Sequence, residues 1–131
     1  MDNNAKIFLS VVGLLILGVL ATVLIRAGSN GKPIEPGKYD VFAQCLGEKG
    51  AIFYGAFWCS HCQAQKKLFG TSAKLLPYVE CSNVNGQGQT QICIDKKIPS
   101  YPTWEFADGT RLNGEIPLAQ LAEKTSCELP K

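Results

Sequence analysis

The chain has little net charge and almost no histidine. Its 131 residues carry 13 Lys and Arg against 11 Asp and Glu, a formal net charge of +2, and His61 is the single histidine. A nucleic-acid-binding domain shows a marked basic excess, so the composition excludes that class and no nucleic-acid partner is expected. Hydrophobic residues make up 46% of the chain, too many for a disordered protein. The length gives room for one domain and little else.

Cysteine, in contrast, is abundant for so short a chain. The six positions are Cys45, Cys59, Cys62, Cys81, Cys93 and Cys127. An even number of cysteines in a small domain favours an oxidising compartment, where disulfides persist, over the cytosol.

One long apolar segment lies near the N-terminus. Residues 7–25 read "IFLSVVGLLILGVLATVLI" and contain no charge. At about 1.5 Å per residue, such a helix can cross a hydrocarbon core of about 30 Å. The following "RAGSNG" has no convincing cleavage signal. The sequence therefore predicts a short flank (1–6) and an uncleaved transmembrane anchor (7–25); a cleaved signal peptide and a helix buried in a soluble core are the alternatives.

The charges around this segment and the cysteines disagree about orientation. Arg26, Lys32 and Lys38 follow the segment, whereas Lys6 and Asp2 precede it. By the positive-inside rule the domain would stay in the cytoplasm. We give the cysteines more weight, because three possible pairs in a small domain have little purpose under reducing conditions. We expect a single-pass protein of the cell (cytoplasmic) membrane with the domain that follows the anchor on the extracytoplasmic side.

The rest of the chain alternates between helical and extended patterns. Residues 26–38 are rich in Gly and Pro and read as a linker, and 39–131 form the domain. Helices are predicted within 39–50, 61–70, 89–98 and 117–127, strands within 51–58 and 78–81, and a hairpin from 102–106 and 109–114. This order predicts an α/β sandwich with a mixed sheet.

"AFWCSHCQ" places Cys59 and Cys62 where the predicted strand passes into a helix. Unpaired backbone N–H groups and the helix dipole favour a thiolate there, and the thiolate is the nucleophile. We predict that Cys59 is the exposed, attacking sulfur and that Cys62, one turn along and more covered, resolves the mixed disulfide. His61 lies between them and would further stabilise the thiolate, which makes the disulfide a stronger oxidant. A surface histidine without a role is the alternative.

A zinc site and a structural disulfide are two other uses of a Cys59–Cys62 pair. Zinc needs four ligands, often as two closely spaced pairs. Cys81 and Cys93 are too far apart for such a pair and there is no second histidine, so no metal is expected. A purely structural disulfide between Cys59 and Cys62 would close too small a loop to stabilise the fold much.

The other four cysteines suggest structural disulfides. Cys81 ends a predicted strand and Cys93 lies in the next helix, so we predict a structural disulfide between them; a second, relay disulfide or two buried thiols are alternatives. Cys45 and Cys127 remain as a possible disulfide, within one chain or between chains.

These motifs carry a family resemblance. "FWCSHC" followed by "SYPTWEF" resembles the thioredoxin superfamily. More closely, "YGAFWCSHCQAQKKLFG", "PYVEC" and "YPTWEF" resemble the thioredoxin-like domain fused to, or working with, membrane enzymes of the vitamin K epoxide reductase family. The likeness covers about residues 40–127. It implies a thioredoxin-like fold and thiol–disulfide exchange with no cofactor beyond the redox-active disulfide of the Cys59–Cys62 pair.

The resemblance also implies substrate and partner sites. Pro102 would be a cis-proline facing the disulfide, the backbone of Tyr101 would bind an extended substrate peptide, and Trp58 would shape the rim of that site. Cis bonds are essentially confined to X-Pro, so the Tyr101–Pro102 bond is suited to this role. The implied partners are cysteine-containing protein substrates and a vitamin K epoxide reductase-type membrane oxidoreductase. Trp104, by contrast, is expected to pack in the core.

Two departures from the family pattern bear on whether the Cys59–Cys62 pair oxidises or reduces its substrates. Phe53 stands six positions before Cys59, where thioredoxins carry a buried acid, and Ser60–His61 replaces the Gly-Pro of reducing thioredoxins. Both favour an oxidase that promotes disulfide formation in exported proteins. A tethered reductase for a dedicated client and a redox-inactive binding module are the alternatives.

Overall fold

The computed structural model describes residues 2–27 and 36–131, with side chains described over 2–20 and 36–131. The chain divides between residues 35 and 36 into two units. Residues 28–35, the greater part of the predicted linker, lie outside the described residues.

The N-terminal unit contains one long helix. Helix α1 (Asn3–Ala27) extends beyond both ends of the predicted anchor. Its stretch Asn3–Leu20 is long and apolar enough to cross a membrane, and none of that stretch is buried. N-terminal signal sequences share these properties.

The second unit is built on a four-stranded mixed sheet. Its strands are β1 (Ile52–Gly55), β2 (Tyr78–Glu80), β3 (Thr103–Glu105) and β4 (Arg111–Asn113). Their spatial order is β2-β1-β3-β4, with β1 parallel to β2 and antiparallel to β3, and β3 antiparallel to β4. The predicted hairpin is therefore present as β3 and β4.

Helices flank this sheet. They are α2 (Asp40–Glu48), α3 (Ser60–Leu68), α4 (Gln91–Asp95) and α5 (Leu118–Thr125), with a 3-10 helix at Gly70–Leu75 that the sequence did not predict. Gly70 has a φ of +56°, which glycine adopts readily, and it separates α3 from the 3-10 helix. Pro117 precedes α5 as its N-cap, one position earlier than predicted. The α/β class and the mixed sheet are confirmed, and the architecture is compatible with a thioredoxin-like fold.

The core lies between the sheet and the helices. Trp104 is fully buried, as predicted, and stacks on Phe53 with ring centroids 4.8 Å apart. Helix α2 covers this core with Phe42, Ala43 and Leu46. Val41, on the same helix, is 78% exposed and lies outside the buried face.

Two disulfides cross-link this unit. One joins Cys45 of α2 to Cys127, just beyond α5, across a sequence separation of 82. The other joins Cys81, directly after β2, to Cys93 of α4, across a separation of 12. Their Cα atoms are 5.9 Å and 5.5 Å apart, within the usual range for disulfides.

Candidate active site

The cysteine pair begins helix α3, but a turn separates it from the strand. Strand β1 ends at Gly55, three residues earlier than predicted, because the backbone N–H of Cys59 donates to the Ala56 carbonyl (3.0 Å). The N–H of Phe57 donates to the side-chain carboxylate of Glu80 at 3.2 Å instead of to a backbone carbonyl of a neighbouring strand. This turn sets Cys59 at the start of α3.

Cys59 is the N-cap of α3. Its backbone is extended and its Sγ accepts the N–H of Cys62 at 3.2 Å. An amide hydrogen aimed at sulfur, together with the positive end of the helix dipole, stabilises negative charge on Sγ. Both cysteines are free thiols. The prediction of an exposed Cys59 was too strong, because its exposed fraction is 7%, although that of Cys62 is only 1%.

Cys62 is held as a thiol. Burial, followed by the hydrogen bond with Cys59, raises its pKa to about 12. The two sulfurs are therefore chemically different. Cys59 caps a helix and is the more exposed of the two, whereas Cys62 is covered and retains its proton at neutral pH.

His61 does not lie between the sulfurs as an isolated imidazole. Its Nδ1 is 2.7 Å from Oε1 of Glu115, and both side chains are exposed. The contact is an ion pair whenever the imidazole is protonated. Sequence reasoning missed Glu115, because 54 residues separate it from His61 and no motif marks it.

Glu80 is a second residue that sequence reasoning missed. Its Oε1 accepts the backbone N–H groups of Phe57 (3.2 Å) and Ser82 (2.9 Å), and its Oε2 accepts the hydroxyl of Tyr78 (2.8 Å). A signal for it existed, since β2 runs parallel to β1 and parallel neighbours end at the same edge of a sheet. The last residue of "YVE" therefore had to lie beside the turn that follows β1.

Tyr78 and Cys62 share the space beside Gly55. A Cβ added at Gly55 would lie 2.8 Å from Cε2 and 3.4 Å from Oη of Tyr78, and 3.1 Å from Sγ of Cys62. Lys66 is half-buried, with its Nζ 3.4 Å from the centre of the Tyr78 ring, whereas Lys67 is exposed. Glycine at position 55 lets the phenol and the thiol approach each other.

The predicted peptide-binding residues partly cluster. Trp58 is 55% exposed, packs edge-on against Tyr101 with centroids 6.0 Å apart, and donates its Nε1–H to Ser82 Oγ (2.8 Å). The Tyr101–Pro102 bond is cis, and Pro102 is buried. The exposed Phe57 lies next to Trp58, so the rim offers apolar surface around the cysteines.

The zinc alternative gains no support from the arrangement of ligands. Within residues 2–27 and 36–131, no three side chains of the His, Cys, Asp and Glu types come together as a possible metal site.

An α/β domain with a mixed sheet and two cysteine thiols at a helix N-terminus is compatible with a thioredoxin-like fold. No family model matches the chain. A curated protein similar to it is thiol-disulfide oxidoreductase LTO1 of Arabidopsis thaliana, which is 48% identical over 91 residues. The match covers 66% of this chain and only 24% of LTO1. The similarity supports an oxidoreductase role and leaves most of LTO1 without a counterpart here.

Proposed function

We propose that this protein is a thiol–disulfide oxidoreductase whose Cys59–Cys62 pair cycles between dithiol and disulfide. The observation that carries the proposal is the asymmetry of the pair: Cys59 caps α3 with an amide hydrogen on its sulfur, and Cys62 is a buried thiol one turn along. The name of the similar LTO1 agrees with this chemistry.

In the oxidase direction, a substrate thiolate attacks Sγ of Cys59 in the disulfide. A bond forms between the substrate sulfur and Cys59, the Cys59–Cys62 bond breaks, and Cys62 leaves and takes up a proton. A second substrate thiolate then attacks the first substrate sulfur and releases Cys59 as a thiolate. The substrate is oxidised by two electrons, and the pair is reduced by two.

Reoxidation needs an electron acceptor, which we propose is a membrane oxidoreductase of the vitamin K epoxide reductase type. The support for it is the sequence resemblance around "FWCSHC" and "YPTWEF". Disulfide exchange with a cysteine pair of that partner would regenerate the Cys59–Cys62 disulfide. We further propose that the substrates are cysteine-containing exported proteins, bound as extended segments along Tyr101–Pro102 beneath the rim of Trp58.

The residues around the pair favour oxidation over reduction. Phe53 is fully buried and stacked on Trp104, so no acid occupies the position from which thioredoxins assist the second cysteine. His61 is the second residue of α3, two positions after Cys59, and a polar imidazole there favours the reduced form of the pair, which raises the reduction potential.

The reduction potential of the full chain tests the direction. Equilibration with glutathione buffers is expected to give a reduction potential well above that of thioredoxin, which is about −270 mV. His61→Ala is expected to lower it, because a group that stabilises the reduced form is lost, and Glu115→Gln is expected to lower it by less. Glu123→Gln, at an exposed position of α5, is the matched control. A wild-type value near that of thioredoxin would support the tethered reductase instead, and no exchange at all would support a redox-inactive binding module.

We also propose that α1 anchors the protein in the cell membrane with the domain outside the cytoplasm. The two disulfides of residues 36–131 support an oxidising location, and the length and apolar character of α1 support an anchor. The basic residues Arg26, Lys32 and Lys38 on the domain side run against the positive-inside rule, so the orientation needs a direct test.

A membrane-impermeant maleimide provides that test. Val84 is 100% exposed, so Val84→Cys presents a thiol that the reagent can reach. We expect labelling of this variant in intact cells, with the parent chain as the control for the native thiols. Labelling only after the cells are lysed would place the domain in the cytoplasm and contradict the proposed orientation.

A further inference from the structure

One step of the proposed exchange lacks an obvious proton acceptor. When Cys59 is joined to a partner sulfur, Cys62 must lose its proton before it can attack. Its thiol is buried, and Phe53 occupies the position of the acid that would receive the proton in thioredoxins. Some other group beside Cys62 must take over this task, because a thiol is a poor nucleophile.

The Tyr78 hydroxyl is a polar group on the neighbouring strand that lies on the same side of Gly55 as Cys62. It borders the space beside Gly55 that Sγ of Cys62 also borders, with a common point 3.4 Å from Oη and 3.1 Å from Sγ. This approach depends on the absence of a side chain at position 55. Edge-on packing against Phe53, with centroids 5.2 Å apart, fixes the Tyr78 ring.

Glu80 completes a path from this hydroxyl towards the surface. Its Oε2 accepts the Tyr78 hydroxyl at 2.8 Å, while Phe57 and Ser82 hold Oε1 through their backbone N–H groups. The carboxylate is thereby pinned to the turn that leads to Cys59. Its residue is half-buried, so protons can exchange with solvent there.

We propose that Tyr78 and Glu80 form a proton relay for Cys62, replacing the acid that Phe53 displaces. As Cys62 attacks, its proton passes to Oη of Tyr78 while the Tyr78 proton passes to Oε2 of Glu80. The Cys62 electron pair forms the bond to Cys59, the bond from Cys59 to the partner sulfur breaks, and the partner leaves as a thiolate. The pair is oxidised by two electrons and the partner disulfide is reduced by two.

The charges that face this path fit a relay. Cys59 and Lys66 are the titratable groups that act on Cys62. Glu80, Cys62 and Cys59 are those that act on the phenol of Tyr78. Burial, followed by the hydrogen bond to Glu80, raises the pKa of Tyr78 well above its usual range, so the phenol passes a proton on without retaining a charge. The ammonium of Lys66 lies over the ring and lowers the pKa of Cys62, which eases the transfer.

The test follows the lifetime of a mixed disulfide. The full chain, in detergent and with the Cys59–Cys62 pair reduced, is mixed with oxidised glutathione, quenched with acid and analysed by mass spectrometry. In Tyr78→Phe and Glu80→Gln, the glutathione adduct on Cys59 is expected to form at the wild-type rate and to resolve about a hundredfold more slowly at neutral pH. Tyr39→Phe and Glu48→Gln, which change a phenol and an exposed carboxylate away from Cys62, are the matched controls.

The pH dependence separates a relay from a structural role. At higher pH hydroxide can take the Cys62 proton without the relay, so the difference in the rate of resolution between the variants and the wild type is expected to shrink as pH rises. A solvent deuterium isotope effect on resolution is expected in the wild type. Tyr78→Phe keeps the ring packing and so preserves the test if Glu80→Gln folds poorly.

Each outcome has a definite meaning. Wild-type adduct lifetimes in both variants at every pH would overturn the relay while leaving the proposed exchange intact. A slowing that does not change with pH would also overturn it, because it would point to misplaced packing. This inference rests on the proposed function: if the wild type forms no adduct at all, the exchange itself fails and the relay fails with it.

Discussion

Cys62→Ala is expected to turn the protein into a trap that remains covalently bound to proteins whose disulfides Cys59 attacks, whereas Cys59→Ala is expected to bind none of them. The reason is the asymmetry of the pair. Cys59 is the more accessible sulfur and is stabilised as a thiolate by the N–H of Cys62, so it forms the mixed disulfide. When Cys59 has attacked a partner disulfide, Cys62, one turn away, is the thiol of this chain that releases the partner by forming the Cys59–Cys62 disulfide. Exchange activity is expected to be lost completely in both variants, for opposite reasons.

Non-reducing gels of cells expressing each variant provide the measurement. Adducts of higher mass that collapse on reduction are expected with Cys62→Ala and not with Cys59→Ala. The double variant Cys59→Ala/Cys62→Ala is the control for adducts through the remaining cysteines. Adducts that persist in this double variant, or that appear with Cys59→Ala alone, would contradict the assignment of Cys59 as the attacking sulfur.

Removal of the Cys45–Cys127 disulfide is expected to lower the free energy of unfolding by about 4–5 kcal/mol. On the chain-entropy model, a cross-link stabilises by restricting the unfolded chain, and a loop of about 100 residues gives about 4.7 kcal/mol. Here the sequence separation is 82. Removal of Cys81–Cys93, with its separation of 12, is expected to cost about 3 kcal/mol by the same relation.

Urea denaturation of the paired alanine variants, followed by tryptophan fluorescence, tests the difference. Trp104 is fully buried and stacked on Phe53, so its emission reports the loss of the core. The variant lacking Cys81 and Cys93 serves as the matched control for the loss of one disulfide. The entropic account would be contradicted if the two removals lowered the free energy of unfolding equally, or if removal of Cys81–Cys93, which closes the shorter loop, lowered it more.

Much of the fold could be predicted from the sequence because local signals agreed with the tertiary arrangement. The apolar run "AIFY", the turn "ADG" between two short extended segments and the helical spacing after Cys59 each had one dominant interpretation. The element order then restricted the topology to a mixed sheet. Boundaries were less predictable: the strand ended at Gly55 because side-chain and turn hydrogen bonds took over from the ladder at Ala56 and Phe57.

Only part of the candidate site could be predicted from the sequence. Cys59, His61 and Cys62 are adjacent in the chain, so their spacing alone marks them. Glu115 reaches His61 across 54 residues. That contact depends on how α5 and the segment before it are placed, which no local pattern encodes. Glu80 was within reach of reasoning, since the parallel pairing of β1 and β2 brings their ends together.

The cross-link between Cys45 and Cys127 has a mechanical consequence. Tension applied between a residue before Cys45 and a residue after Cys127 runs through the sulfur–sulfur bond and bypasses the chain between them. All four strands and both site cysteines lie inside that bypassed segment. If the domain is pulled from its two ends, the segment that holds Cys59 and Cys62 therefore carries no tension, and the two cysteines keep their relative positions until the Cys45–Cys127 bond is reduced.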